Sequence, residues 1–157
     1  MENLLFICPE CGKVDTIKTK GNALSCTSCN MTFTCNEYGF FENAPFKTMK
    51  EYADWQKQTV YEHALKGTSY SSNGGVLKSI VNHEETILTE GKVILTSEEL
   101  RCGEKSIPLH TISNMAFHGR HALVFSVGKD YYELLPLDTN NVIKYVWLYE
   151  SYKELNK

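Results

Sequence analysis

The chain of 157 residues is long enough for one ordinary domain or for two small ones. Hydrophobic residues make up 42% and charged residues 22%, a composition typical of a globular protein rather than of a disordered one. The formal net charge of -3 gives no global electrostatic reason to bind nucleic acid or anionic lipid. No apolar stretch approaches the roughly 18 residues of a membrane-spanning helix. Since no signal-peptide pattern opens the chain either, we expect a cytoplasmic location.

The six cysteines are the most informative residues in the sequence. In a chain expected to stay in the cytosol, where thiols are kept reduced, a disulfide framework is disfavoured. Two C-x2-C pairs are instead separated by 14 residues. Each pair places two thiolates on one side of a tight turn, and together they complete the tetrahedral sulfur set that Zn²⁺ prefers. We therefore predict one structural zinc ion, bound by Cys8, Cys11, Cys26 and Cys29.

Short β-segments around these pairs indicate a zinc ribbon over residues 1–45. Gly12 and Asn30 directly follow the two pairs, where the backbone must curl toward the sulfurs. We expect folding of so small a unit to depend on the metal, because it cannot bury enough apolar surface alone. Four thiolates leave no open position for water, so a catalytic zinc is not expected. Cys35 and Cys102 are interpreted as small core residues.

A helix is predicted over residues 46–66, beginning at a capping-box pattern made by Thr48 and Glu51. One face of this helix collects apolar side chains at helical spacing, namely Met49, Tyr52, Ala53, Val60 and Ala64. Trp55 lies off that face and is a candidate contact with a neighbouring domain. Residues 67–75 are rich in Gly and Ser, and we predict that they form a linker at the domain boundary.

A second domain is predicted over residues 76–157. Its short alternating or apolar segments are separated by turn-prone pairs, a pattern typical of an antiparallel β-sandwich or barrel. One amphipathic helix follows from about residue 139 to residue 155, and Ile143 and Trp147 lie on its polar side as candidate interface residues. The predicted fold class is therefore α+β and mainly β.

The main basic loop of the chain is His118-Gly119-Arg120-His121, between two predicted strands. Its three cationic or titratable side chains, His118, Arg120 and His121, could meet a lipid phosphate. A solvated hairpin turn is the alternative interpretation, because turns between strands commonly carry polar residues.

Residues 76–157 resemble the pleckstrin-homology (PH) superfold, especially its bacterial and GRAM-like variants. The resemblance is carried by Gly91-Lys92-Val93-Ile94-Leu95-Thr96-Ser97-Glu98-Glu99-Leu100 and by Ile107-Pro108-Leu109-His110-Thr111-Ile112. It implies seven or so antiparallel strands capped by the C-terminal helix. PH-like domains bind partners through loops and through a groove beside that helix, so the fold alone does not name a ligand.

The first half of the chain is similar to the extension that follows the catalytic domain in some Firmicutes 1-acylglycerol-3-phosphate acyltransferases. The similarity lies in the ribbon, in Tyr38-Gly39-Phe40-Phe41 and in the stretch from Phe46 to Gln56. No His is followed by Asp at the H-x4-D spacing of that family, so no catalytic residue carries over. The resemblance implies a non-catalytic accessory module of phospholipid biosynthesis. Its partner would be the acyltransferase domain or another protein, and the parent would bring it to the inner face of the membrane.

The sequence also bears on two other classes of function. A nucleic-acid-binding or transcription-related ribbon is the alternative, since Lys13, Lys18 and Lys20 lie in the ribbon, but the ribbon is net acidic. An enzyme is not expected. The adjacent pairs Glu84-Glu85 and Glu98-Glu99 point to opposite faces of a strand, and no catalytic constellation accompanies them.

Overall fold

The computed structural model describes residues 4–119, 121–137 and 142–157, and it divides into two compact units. These are Met1–Thr59, called here the N-terminal unit, and Val60–Lys157, called the C-terminal unit. Strands account for 44% of the chain and helices for 22%, and the sheets are antiparallel, so the predicted mainly β fold class is confirmed. The division falls inside the first helix rather than in the predicted linker.

The N-terminal unit is a four-stranded antiparallel sheet followed by a helix. Its strands follow one another in the sheet in chain order and are β1 Ile17–Lys20, β2 Ala23–Cys26, β3 Thr32–Cys35 and β4 Phe41–Glu42. The helix α1 spans Met49–Leu65. Its start agrees with the predicted capping box. The Thr48 hydroxyl accepts a hydrogen bond from the N–H of Glu51, and the Glu51 carboxylate accepts one from the N–H of Lys47.

Alternation along the short strands places one apolar side chain from each on the same side of this sheet. Leu24 of β2 pairs with Phe33 of β3, and the ring of Phe33 meets that of Phe41 edge to face at 5.2 Å. Tyr52, from the first turn of α1, completes this aromatic cluster and is fully buried. The core of the unit therefore lies between the sheet, the start of α1 and the N-terminal segment that contains Leu5 and Cys8.

The C-terminal unit contains two antiparallel sheets and a closing helix. One sheet has the order β10-β9-β8-β5 and the other the order β11-β12-β13-β6-β7. The bounds are β5 Tyr70–Ser72, β6 Gly75–Val81, β7 Glu84–Glu90, β8 Val93–Leu95, β9 Glu99–Cys102, β10 Lys105–Pro108, β11 Ile112–His118, β12 Ala122–Val127, β13 Asp130–Pro136 and α2 Ile143–Leu155.

The consecutive strands β5 and β6, and likewise β7 and β8, lie in different sheets, so each pair forms one bent strand that runs from one sheet into the other. β5 pairs with β8, and β6 pairs with β7, so residues 70–81 and 84–95 form one long, bent hairpin. The bend lets the backbone of Gly75 approach Val93 so closely that a Cβ at residue 75 would lie 2.3 Å from the Val93 side chain. Counted as bent strands, the nine strands of the described chain in this unit become seven. Seven antiparallel strands followed by a helix fit the arrangement that the PH resemblance implies.

The prediction of a linker at residues 67–75 was wrong. This stretch contains β5 and the first residue of β6, and both Tyr70 and Ser72 are buried. Tyr70 pairs with Leu95 across the sheet. The Gly and Ser content suggested flexibility, but pairing with β8 and burial of the Tyr70 side chain hold this short strand in the core.

The helix α2 is buried on more than one side. Most of its side chains are buried, and two of its tyrosine hydroxyls donate hydrogen bonds to backbone carbonyl oxygens: Tyr149 to Ile112 at 2.8 Å and Tyr152 to Thr68. Trp147, predicted on the polar side of the helix, is only 8% exposed. The predicted start of this helix near residue 139 lies outside the described residues.

Candidate metal centre

Two turns of closely similar backbone geometry carry the four predicted metal ligands. In the first, the N–H of Gly12 donates to the carbonyl oxygen of Cys8 at 2.9 Å; in the second, the N–H of Asn30 donates to that of Cys26 at 3.0 Å. Gly12 and Asn30 have positive φ angles of 74° and 60°. The sequence singled out these two positions because Gly and Asn adopt the left-handed conformation at little energetic cost. In each turn the first cysteine accepts one backbone hydrogen bond and donates another, and the partner residues lie at the same sequence separations in both turns.

The sulfur atoms of Cys8, Cys11, Cys26 and Cys29 all lie within 4.8 Å of one another. Two distances across the turns are 3.6 Å, between Cys8 and Cys29, and 3.7 Å, between Cys11 and Cys26. In a tetrahedron of sulfurs bound at about 2.3 Å from a central ion, neighbouring sulfurs lie about 3.8 Å apart. The four thiols are free rather than joined as disulfides. The cluster therefore has the shape that a four-sulfur metal site requires.

The site has a buried side and an exposed side. Cys8 and Cys26 are buried, whereas Cys11 and Cys29 are exposed. Burial raises the pKa of the Cys8 thiol to about 12. Burial also acts to raise the pKa of Cys26, but hydrogen bonds from Thr16 and from the backbone N–H groups of Cys29 and Ser28 lower it to about 6. One of the two buried sulfurs is therefore predisposed to the thiolate form that binds a metal.

Helix α1 holds the segment that leads into the first turn through two buried side chains. The Gln56 side-chain oxygen accepts hydrogen bonds from the N–H groups of Phe6 at 2.7 Å and Ile7 at 2.8 Å. Its amide nitrogen donates to the carbonyl oxygen of Leu4 at 2.9 Å. The Tyr52 hydroxyl donates to the carbonyl oxygen of Ile7 at 2.7 Å.

We call Tyr52 and Gln56 the helix clamp. Both side chains are 0% exposed, and together they provide hydrogen-bond partners for backbone groups of Leu4, Phe6 and Ile7. The clamp ends one residue before Cys8, so it fixes the position of the first metal ligand. Helical periodicity predicts Tyr52 on the buried face of α1 but does not predict the burial of Gln56. A glutamine one helical turn after a buried tyrosine is the signal that could have found it.

The candidate ligand loop of His118, Arg120 and His121 is only partly described by the structure. His118 and His121 are exposed at the ends of β11 and of the turn before β12, and Arg120 lies outside the described residues. A ligand role of this loop therefore stays a prediction.

The three candidate interface residues are buried to different extents. Trp55 is half-buried and contacts Phe46 in a tilted arrangement and Tyr52 edge to face, with ring centroids 5.4 and 5.9 Å away, so it packs on the core of its own unit. Ile143 is half-buried and Trp147 is buried. The prediction that Trp55 and Trp147 lie off the buried faces of their helices was therefore wrong. Both helices bury wider arcs than a single apolar stripe.

No family model, curated protein or solved structure matches this chain. Among the described residues, neither helix has the length and apolar character needed to cross a membrane. What the chain does must therefore be argued from the four-cysteine cluster and from its surfaces.

Proposed function

We propose that the four-cysteine cluster binds one structural zinc ion and that the chain is a non-catalytic accessory module. The observation that carries the proposal is the convergence of four sulfurs within 4.8 Å on two like turns. Among divalent ions, Zn²⁺ favours four thiolates in a tetrahedron. A complete set of protein ligands leaves the ion no position for water or substrate, so its role is to hold the ribbon together.

Metal analysis of the purified full chain tests the first part of the proposal. We expect one zinc ion per chain, and replacement by Co²⁺ should give the intense absorption of a tetrahedral thiolate site. Cys29→Ser should reduce zinc binding, because it removes one of the four sulfurs.

The matched control for that variant is Cys35→Ser. Cys35 is also in the ribbon, but its sulfur lies outside the four-sulfur cluster, so this variant should keep its zinc. Equal zinc loss in both variants, or a chain that purifies without metal and folds, would contradict the proposed site.

The closed ligand set of the proposed zinc site supports an accessory role. With the ion closed by protein ligands, the proposed zinc offers no position for substrate, and a module that regulates or docks to a partner acts through its surfaces. The similarity of residues 1–56 to an acyltransferase extension suggests the parent: a lysophosphatidic acid acyltransferase-like protein of phospholipid biosynthesis.

The native form of the chain tests the parent. An antibody against this chain should detect a band well above 17.9 kDa in the membrane fraction of the native host. Purification of that band should then give acyltransferase activity. A soluble band at 17.9 kDa would contradict the acyltransferase parent, while leaving the zinc site to be decided by metal analysis.

A further inference from the structure

The connection between β3 and β4 presents two large aromatic side chains to solvent. Tyr38 is 76% exposed and Phe40 is 50% exposed, although the next residue, Phe41, is buried in the core of the ribbon. We call residues 36–40 the aromatic loop. Single exposed apolar side chains are common on protein surfaces, whereas two exposed aromatic side chains in one short loop present a larger apolar surface. Covering that surface with a partner is energetically favourable.

The backbone of this loop is held in one conformation by its first residue. The side-chain oxygen of Asn36 accepts hydrogen bonds from the N–H groups of Tyr38 at 3.0 Å and Phe40 at 3.1 Å. The N–H of Asn36 donates to the carbonyl oxygen of Phe40 at 2.8 Å, and Gly39 provides the positive φ of 84° that the turn needs. The aromatic pair is therefore preorganised, and binding would order little additional backbone.

The charges around the loop indicate the kind of partner. Exposed Glu37 lies between Asn36 and Tyr38, and exposed Glu42 follows the buried Phe41. Lys47 lies nearby, where its carbonyl oxygen accepts the N–H of Phe41. Two carboxylates against one ammonium disfavour the phosphates of nucleic acids and anionic lipids. They favour a protein surface with Lys or Arg side chains.

We propose that the aromatic loop is a protein-docking element, with Tyr38 and Phe40 entering an apolar cleft of the partner whose rim is basic. The proposal rests on the accessory role argued above and adds the surface and the chemistry of the partner to it. Exposed, preorganised tyrosine and phenylalanine side chains are the type of residue that dominates binding energy at protein interfaces.

Site-specific photo-crosslinking in the native host tests this proposal on the full chain. A photoreactive phenylalanine derivative replaces Tyr38 in one strain and Tyr131 in another. Tyr131 is the matched control, because it is 64% exposed but lies on β13 of the C-terminal unit. The proposal expects a discrete protein adduct from residue 38 that residue 131 does not give.

Affinity measurements with that crosslinked protein, once purified, give the second part of the test. The double variant Tyr38→Ala with Phe40→Ala should weaken binding by roughly thirtyfold, whereas Tyr131→Ala should change it less than about twofold. Glu37→Lys should slow association, and the effect should shrink at high salt. Zinc content of each variant serves as the folding check.

The possible failures are distinguishable. Adducts with lipid or nucleic acid at residue 38 would overturn a protein partner. Protein adducts at residue 131 alone, or equal loss of binding in both alanine variants, would overturn this surface but keep the accessory role. The absence of any adduct at either residue would overturn the docking element and count against the accessory role itself.

Discussion

The helix clamp makes a sharp prediction, because one buried side chain satisfies three backbone groups. Replacing Gln56 with Leu keeps the approximate volume of the side chain but removes its partners. Two N–H groups, of Phe6 and Ile7, and the carbonyl oxygen of Leu4 would then lose their hydrogen bonds in a buried setting. A buried polar group without a partner costs about 1–3 kcal/mol. The segment can peel away to reach water, so we expect a loss of about 3 kcal/mol rather than the full sum of the three groups.

The same substitution should weaken metal binding, although residue 56 does not touch the cysteine sulfurs. Once the segment before Cys8 is no longer held, binding the ion must also order that segment. A loss of about 3 kcal/mol would correspond to roughly a hundredfold in zinc affinity, and a tenfold loss is the smallest that the argument allows. Competition with a chromophoric chelator measures the affinity. Hydrogen exchange of the Phe6 and Ile7 amides reports whether the segment is released.

Gln58→Leu is the matched control, because Gln58 is the same residue type, two positions further along α1, and exposed. It should leave zinc affinity and amide protection close to their original values. If Gln56→Leu also leaves both unchanged, the helix clamp does not support the metal centre. If amide protection is lost while zinc affinity stays, the segment is held by Gln56 but the position of Cys8 is fixed by its own turn.

Three further predictions concern single groups. Tyr52→Phe removes the 2.7 Å hydrogen bond to Ile7 but keeps the ring. Thermal unfolding of the zinc-loaded chain should therefore show a free energy of unfolding lower by about 1 kcal/mol. An unchanged free energy of unfolding would show that this bond contributes nothing. Because burial raises the pKa of Cys8 to about 12, a proton competes with the metal for this sulfur. Chelator competition at a series of pH values should therefore show affinity falling roughly tenfold per unit at any pH below about 12, and more steeply below about 6, where Cys26 also takes up a proton; a pH-independent affinity would refute this. Gly103→Ala should destabilise the C-terminal unit by about 1–3 kcal/mol in chemical unfolding, because residue 103 has a φ of 56° and its Cβ would lie 2.5 Å from the Glu90 carbonyl oxygen. Gly128→Ala is the control, since its φ is 62° but no atom lies within 4 Å of the added Cβ. If Gly103→Ala costs no more stability than Gly128→Ala, the close contact is harmless.

The four-cysteine cluster was predictable because its geometry is local. A C-x2-C turn fixes the separation of its two sulfurs within four residues, and Gly12 and Asn30 mark the backbone conformation that the turns require. The match between the two turns needed no knowledge of the tertiary structure. The helix clamp was not predictable in the same way, because its hydrogen bonds join residues about 50 positions apart. A glutamine in a helix is ordinarily assigned to the solvent-exposed face.

The misassigned residues share a different cause. Around Tyr70 the prediction of a linker relied on the Gly and Ser content, but the structure has a three-residue strand there. At Trp147 the periodicity indicated one apolar stripe, but the helix is buried on more than one side, and a stripe model assigns such residues to the wrong face. Both errors concern how much surface the tertiary structure covers, which local sequence does not specify.

The proposed four-sulfur zinc site also indicates which parts of the chain can carry its function. If the proposed zinc binds, every ligand position is taken by protein, and the ion contributes folding energy rather than chemistry. A metal ion that stabilises folding is most useful where a small unit must hold a binding surface in one conformation. The aromatic loop begins one residue after β3, in the sheet that the second metal turn leads into, and its shape depends on backbone hydrogen bonds that a partly unfolded ribbon could not keep. Metal removal should therefore release the loop together with the sheet, and binding of any partner at Tyr38 should be lost with the zinc.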